Sequence, residues 1–125
     1  MHINQVTLFG DIVDEPNFRE VGTTGVLKLT VKTEKPVQKK DGSEVIIGAY
    51  HRVEVWGKRA AALNGVFSEG DPVFVQGEIK YGKYENKEGQ TVYTTDINVG
   101  FDGKIMAFPQ GGELVRESAD ENPFN

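Results

Sequence analysis

The sequence predicts an all-β fold with one short helix: a barrel of five strands followed by a disordered acidic C-terminal tail. Three observations carry that expectation. Segments that alternate apolar and polar residues recur along the chain, the clearest being Val26 to Thr33. Glycine is frequent, 15 in 125 residues, and falls where turns are needed between such segments. Only the stretch from Gly57 to Phe67, with Ala60, Ala61, Ala62 and Leu63, has helical composition. At this length one domain and one core are expected.

The elements follow in order. Ile3 to Phe9 reads as a strand ended by Gly10-Asp11, and Asp14-Glu15-Pro16 reads as a turn. Phe18 to Val21 reads as extended, and Gly22-Thr23-Thr24-Gly25 as a second turn. In the next strand Leu27, Leu29 and Val31 share one face, and Lys28, Thr30 and Lys32 the other. Lys39 to Glu44 is a polar loop with Asp41-Gly42 at its tip, and Val45 to Trp56 is a long strand. After the helix, Gly70-Asp71-Pro72 marks a stop. Val73 to Tyr84 and Thr91 to Val99 form a hairpin around Asn86-Lys87-Glu88-Gly89, and Phe101 to Phe108 is a last short strand. Three strands, a helix and two more strands is the layout of a five-stranded Greek-key barrel of the OB type, a fold that binds oligonucleotides or oligosaccharides. A β-sandwich gives a similar pattern.

Charge divides the chain. Residues 109–125 hold Glu113, Glu117, Asp120 and Glu121 against Arg116, a net −3 of the chain's −5. Only Leu114, Val115 and Phe124 are bulky and apolar there, so a flexible acidic tail is expected after a folded domain of residues 1–108. Within the domain, Lys28, Lys32, Lys35, Lys39 and Lys40 cluster against Glu34 alone. That local excess answers the objection that an acidic chain should avoid nucleic acid.

Several function classes are excluded. Cysteine is absent, which removes disulfides, zinc ribbons and thiol catalysis and suits the cytoplasm. No apolar run exceeds the four residues Ala60 to Leu63, so neither a membrane span nor a signal peptide is expected. The histidines are His2 and His51, and the serines Ser43, Ser68 and Ser118. None stands in a nucleophile-elbow setting, and no phosphate loop or metal motif is present. No enzyme activity, metal or cofactor is expected.

Two segments combine rings with cations. Along Tyr50 to Trp56 a period of two puts Tyr50, Arg52, Glu54 and Trp56 on one face, and His51, Val53 and Val55 on the other. Unpaired bases stack on aromatic rings, and Arg adds phosphate or cation–π contact. Read alone, Tyr50 and Trp56 serve a core or a subunit interface equally well, and Glu54 is out of place on a phosphate-binding face. The hairpin repeats the chemistry with Lys80, Tyr81, Lys83, Tyr84 and Lys87; Lys80 and Tyr84 lie on one face, Tyr81 and Lys83 on the other. The cluster Lys28, Lys32, Lys35, Lys39 and Lys40 then reads as a backbone-tracking groove. Asp96 lies beyond the hairpin's aromatic cluster and is expected to be silent.

These residues form a recognisable series: Tyr50-His51-Arg52-Val53, Trp56-Gly57-Lys58, Glu69-Gly70-Asp71, Val73 to Gly77, Lys83-Tyr84, Gly89-Gln90 and Tyr93-Thr94-Thr95-Asp96. From about Ile3 to Phe108 the chain resembles the bacterial-type single-stranded DNA-binding protein family. The resemblance implies an OB fold that assembles as a homo-oligomer, a tetramer or dimer, and coats single-stranded DNA in replication, recombination and repair. It implies base stacking or phosphate contact at Tyr50, Arg52, Trp56 and Tyr84, and subunit contacts at His51 and Tyr93. It also implies that the acidic tip Asp120, Glu121, Pro123 and Phe124 recruits replication and repair proteins. Two family tryptophans are Tyr50 and Tyr84 here, and no aromatic lies between Phe18 and Tyr50, where the family has one. Lys35, Lys39 and Lys40 substitute charge there. The linker to the tip is short, which points to a phage- or plasmid-encoded member. The alternatives are an OB-fold replication accessory or a structural β-module that binds RNA, oligosaccharide or protein.

Overall fold

In the computed structural model, residues 1–108 are described. The elements are β1 (Val6–Val21), β2 (Thr24–Gln38), β3 (Glu44–Trp56), α1 (Lys58–Leu63), β4 (Pro72–Glu85), β5 (Thr91–Val99) and β6 (Lys104–Ala107). The expected tail, residues 109–125 with Asp120, Glu121, Pro123 and Phe124, lies outside the described residues.

The strands pair in the order β1-β2-β3-β5-β4-β6, and a further β1–β4 pairing closes the first five into a ring. All pairings are antiparallel except β3–β5, a short parallel contact from Val53↔Ile97 to Val55↔Val99. This is the OB arrangement. Closure brings backbones close together at two glycines. A Cβ on Gly10 would stand 2.2 Å from the Lys32 carbonyl oxygen, and one on Gly77 would stand 2.4 Å from that of Asn98. Only a residue without Cβ permits either approach.

The core follows from the period of two. Leu27, Leu29 and Val31 of β2 and Val53 and Val55 of β3 are buried, together with Ile12, Val73, Val75 and Val99. The helix α1 packs across β2 and β3, with Ala60 fully buried and Phe67 behind it. The loop after the helix is pinned to β1: Ile12 N–H donates to the Asp71 carbonyl and Gly70 N–H to that of Ile12. The buried Asp71 carboxylate accepts the Ser68 N–H at 3.0 Å.

Three expectations on element bounds are corrected. Gly10-Asp11 does not end a strand and Asp14-Glu15-Pro16 is not a turn, because β1 runs through both, the second as a bulge. Val13 pairs with Thr30 and Asn17 with Lys28, so β1 has two more residues than β2 across that interval. Asp14 takes φ 70°, which lets the strand turn its axis, and Pro16 needs no ladder donor there. The helix is six residues rather than the full stretch to Phe67, because Asn64 is extended and Gly65 has φ 89°. The β2–β3 hairpin is longer than expected, paired from Val26↔Trp56 to Gln38↔Glu44. Its tip matches the sequence: Asp41 Oδ1 accepts the Ser43 N–H at 2.9 Å and hydroxyl at 2.6 Å, with Gly42 at φ 91°. Those two bonds hold the Asp41 carboxyl below its ordinary range.

Candidate nucleic-acid interface

The outer face of β3 is built by default. Val53 and Val55 must face the core, so Tyr50, Arg52, Glu54 and Trp56 face away from it. The β2 register sets Lys32 opposite Tyr50, Thr30 opposite Arg52 and Lys28 opposite Glu54. Residues opposite each other in an antiparallel pair share a face. From the other side, Lys80 and Tyr84 of β4 reach the same surface, and Lys80 lies opposite Asp96 of β5. An open groove of about 510 Å³ runs between these elements, with Lys28, Arg52, Glu54, Tyr84 and Asp96 in its walls and Asp14 and Glu15 of the β1 bulge at its rim.

The rings on this face are accessible. Tyr50 is 62% exposed, Tyr84 56%, and Trp56 is half-buried. Buried rings would serve the core; Tyr50 and Tyr84 present their surfaces to solvent. Cations lie over two of them: Lys80 Nζ is 5.3 Å from the Trp56 ring centroid and Lys32 Nζ is 5.8 Å from that of Tyr50. Lys32 also pairs with Glu34 at 2.8 Å, and this hydrogen bond, with the charge behind it, raises the Lys32 pKa.

Carboxylates are woven through the groove. Arg52 Nε donates to Asp96 Oδ1 at 2.8 Å, which raises the Arg52 pKa. Glu54 accepts the Trp56 Nε1–H at 3.1 Å and faces Lys80 at 3.7 Å and Lys28 at 3.9 Å. Asp96, expected to be silent, therefore lies on the same surface as Arg52, and Glu54 lies among Trp56, Lys28 and Lys80. Cross-strand register brings Asp96 in. It falls opposite Lys80 once the hairpin turn at Asn86 to Gly89 is fixed, so counting back from that turn in the sequence locates it.

Not every expected residue joins this surface. Tyr81 pairs with Thr95 and Lys83 with Tyr93, on the hairpin face opposite Lys80 and Tyr84. Lys35 lies opposite Ile47, on the face opposite Lys32 and Tyr50, and Lys39 and Lys40 sit at the β2–β3 tip. Tyr81, Lys83 and Lys35 are separate from the groove because side chains on a strand alternate, whatever their chemistry, and Lys39 and Lys40 because they lie in the turn beyond the strands. His51 and Tyr93 flank a second groove of about 430 Å³, where β3 and β5 diverge. His51 Nε2 lies 2.9 Å from Thr33 Oγ1, and Tyr93 is 76% exposed. Among the described residues no cluster of His, Cys, Asp or Glu is suited to a metal ion.

A closed five-stranded barrel with an open groove is the OB architecture, and here its outer face brings rings and cations together. The sequence matches the single-strand binding protein family over residues 3–103, and the chain belongs to that family. A single-stranded DNA-binding protein of Xanthomonas axonopodis pv. citri (strain 306) is 29% identical over 97 residues, 76% of this chain and 53% of its own. The chain thus spans about half the length of that curated relative. Among solved structures, the Plasmodium falciparum SSB in complex with ssDNA superposes with a TM-score of 0.79 at 18% identity, covering 87% of this chain and 97% of its own. A deletion mutant of the single-stranded DNA-binding protein of Thermus aquaticus gives 0.72 at 23%, covering 86% and 51%. Both share the fold. Among the described residues no helix is long and apolar enough to cross a membrane.

Proposed function

We propose that this chain is a non-enzymatic, sequence-tolerant binder of single-stranded DNA that coats and protects exposed strands in replication, recombination and repair. One observation carries the reading: Tyr50 and Tyr84 are exposed and Trp56 half-buried on one face of the barrel, with Arg52, Lys28, Lys32 and Lys80 beside them. Bases stack on the rings and the cations follow the phosphates, with little readout of base edges. Lys39 and Lys40 extend the basic track along the β2–β3 arm, Lys35 adds charge to its other face, and Tyr81 and Lys83 lie where a strand wraps past the hairpin. The domain of residues 1–108 does this work in the cytoplasm. Residues 109–125, through Asp120, Glu121, Pro123 and Phe124, offer an acidic peptide to replication and repair proteins. Self-association through the face bearing His51 and Tyr93 sets how many such domains one strand meets. The family match and the relatives' names support the reading.

A titration of labelled oligo-dT, duplex DNA and RNA at several salt concentrations tests it. A duplex does not present the base faces that the rings need. Oligo-dT is expected to bind orders of magnitude tighter than duplex, with log affinity falling by about 0.7 per phosphate neutralised against log salt. Equal affinity for duplex would overturn the reading, and preference for RNA would move it to an RNA-binding accessory.

A further inference from the structure

A carboxylate on a face that receives a polyanion repels its ligand unless cations neutralise it. Glu54 stands in the middle of that face and its side chain is only 14% exposed. One hydrogen-bond donor and two ammonium groups converge on it. The Trp56 indole N–H donates to Oε1 at 3.1 Å, Lys80 Nζ lies 3.7 Å from the same oxygen, and Lys28 Nζ lies 3.9 Å from Oε2. Lys80 also lies 5.3 Å from the Trp56 ring centroid, so ring, ammonium and carboxylate form one cluster. The arrangement follows from register. Glu54 and Trp56 are two apart on one strand, Lys28 is the cross-strand partner of Glu54, and Lys80 comes from the hairpin. The two lysine side chains are 51% and 52% exposed, so each can leave the carboxylate for a phosphate at small cost.

We infer that Glu54 is a positioning residue of the DNA face, a role that rests on the single-strand reading and deepens it. It fixes the angle of the Trp56 ring through the indole N–H, so the stacking surface exists before a base arrives. It also holds Lys28 and Lys80 in ion pairs that must be exchanged when a strand binds. When both lysines turn to phosphates, the carboxylate they leave takes up cations from solution. That uptake offsets the counterions released from the strand. The native groove therefore gains less from low salt than its number of cations suggests, and relies more on stacking.

Glu54→Gln keeps an oxygen acceptor for the indole N–H and removes the charge; Glu54→Ala removes both. Trp56 is the only tryptophan, so its emission reports this site alone. In the free full-length chain, the anisotropy decay of Trp56 is expected to be unchanged in Glu54→Gln and to gain a fast component in Glu54→Ala. With oligo-dT, Glu54→Gln is expected to steepen the log–log salt slope by about 0.7, one cation for the one charge removed. The ratio of variant to native affinity then changes about five-fold over a tenfold range of salt. Parallel slopes for Glu54→Gln, or a native-like decay in a folded Glu54→Ala, overturn the assignment. If Glu54→Ala does not fold, the Glu54→Gln slope decides. If the native chain fails to bind oligo-dT, the proposed function falls, and the decay in the free chain still decides whether Glu54 holds the ring.

Discussion

The groove floor and the β2–β3 arm both carry cations, yet they treat charge in opposite ways. On the floor every cation has an anionic neighbour: Arg52 has Asp96, and Lys28 and Lys80 have Glu54. Along the outer arm, no described carboxylate forms an ion pair with Lys35, Lys39 or Lys40. Tyr84 stands in the groove wall and Trp56 next to Glu54, whereas the arm beyond Tyr50 carries no aromatic residue. Stacking needs a ring at a fixed angle, and ion pairs and hydrogen bonds fix side chains. Phosphate tracking needs charge within a Debye length and little geometry, so mobile lysines serve it well. The floor is thus organised for shape and the arm for field.

The sharpest break in that comparison removes the ring. Trp56→Ala is expected to weaken oligo-dT binding by about 1–3 kcal/mol, measured by anisotropy of a labelled strand, with the salt slope almost unchanged. Trp56 is half-buried, so circular dichroism must show the barrel intact. A loss confined to low salt would assign Trp56 to field rather than stacking.

Next comes the contrast between the two faces of the β4–β5 hairpin. Tyr84→Ala is expected to cost about 1 kcal/mol, at the lower end for a stacked base, because Tyr84 stands at the groove wall. Tyr81→Ala is expected to change single-site affinity little, because Tyr81 faces the other way. Equal losses would mean that the strand passes around the hairpin edge.

The arm is tested through charge. The double variant Lys39→Ala, Lys40→Ala is expected to flatten the salt slope by about 0.7 to 1.4 while leaving Trp56 quenching at saturation unchanged. Reduced quenching at saturation would tie the tip to the floor and dissolve the distinction between them.

How much of this was legible in the sequence depended on range. The alternation in β2 and β3 displayed the core and the outward face directly, because a strand's period is a local property. The turn at Asp41-Gly42 was equally local. Asp14 to Pro16 looked like a turn because its composition is that of one; only the β2 register makes it a bulge. Glu54 and Asp96 looked idle because their partners lie on other strands, Lys28 and Lys80 for one and Arg52 for the other. Lys35, Tyr81 and Lys83 were grouped with the groove by chemistry, but alternation puts them on the reverse faces.

The smallest expected effect concerns the pair that closes the fork between β3 and β5. Arg52 is more than half exposed while Asp96 is only 14% exposed, so solvent screens the pair from one side. Its loss is expected to cost the fold no more than about 1 kcal/mol, read by thermal denaturation of Asp96→Asn. Two consequences for binding oppose each other. Without the Asp96 carboxylate, Arg52 has its whole charge available for a phosphate, which steepens the salt slope by about 0.7. Without the hydrogen bond to Nε, the guanidinium is no longer held in one plane, and ordering it on binding costs entropy. At low salt the first effect dominates and Asp96→Asn binds oligo-dT slightly tighter than the native chain. At high salt phosphate attraction is screened, the ordering cost remains, and the variant binds slightly weaker. The two affinity curves are therefore expected to cross. A variant weaker at every salt concentration, by a constant factor, would show that the Arg52–Asp96 pair acts through geometry alone.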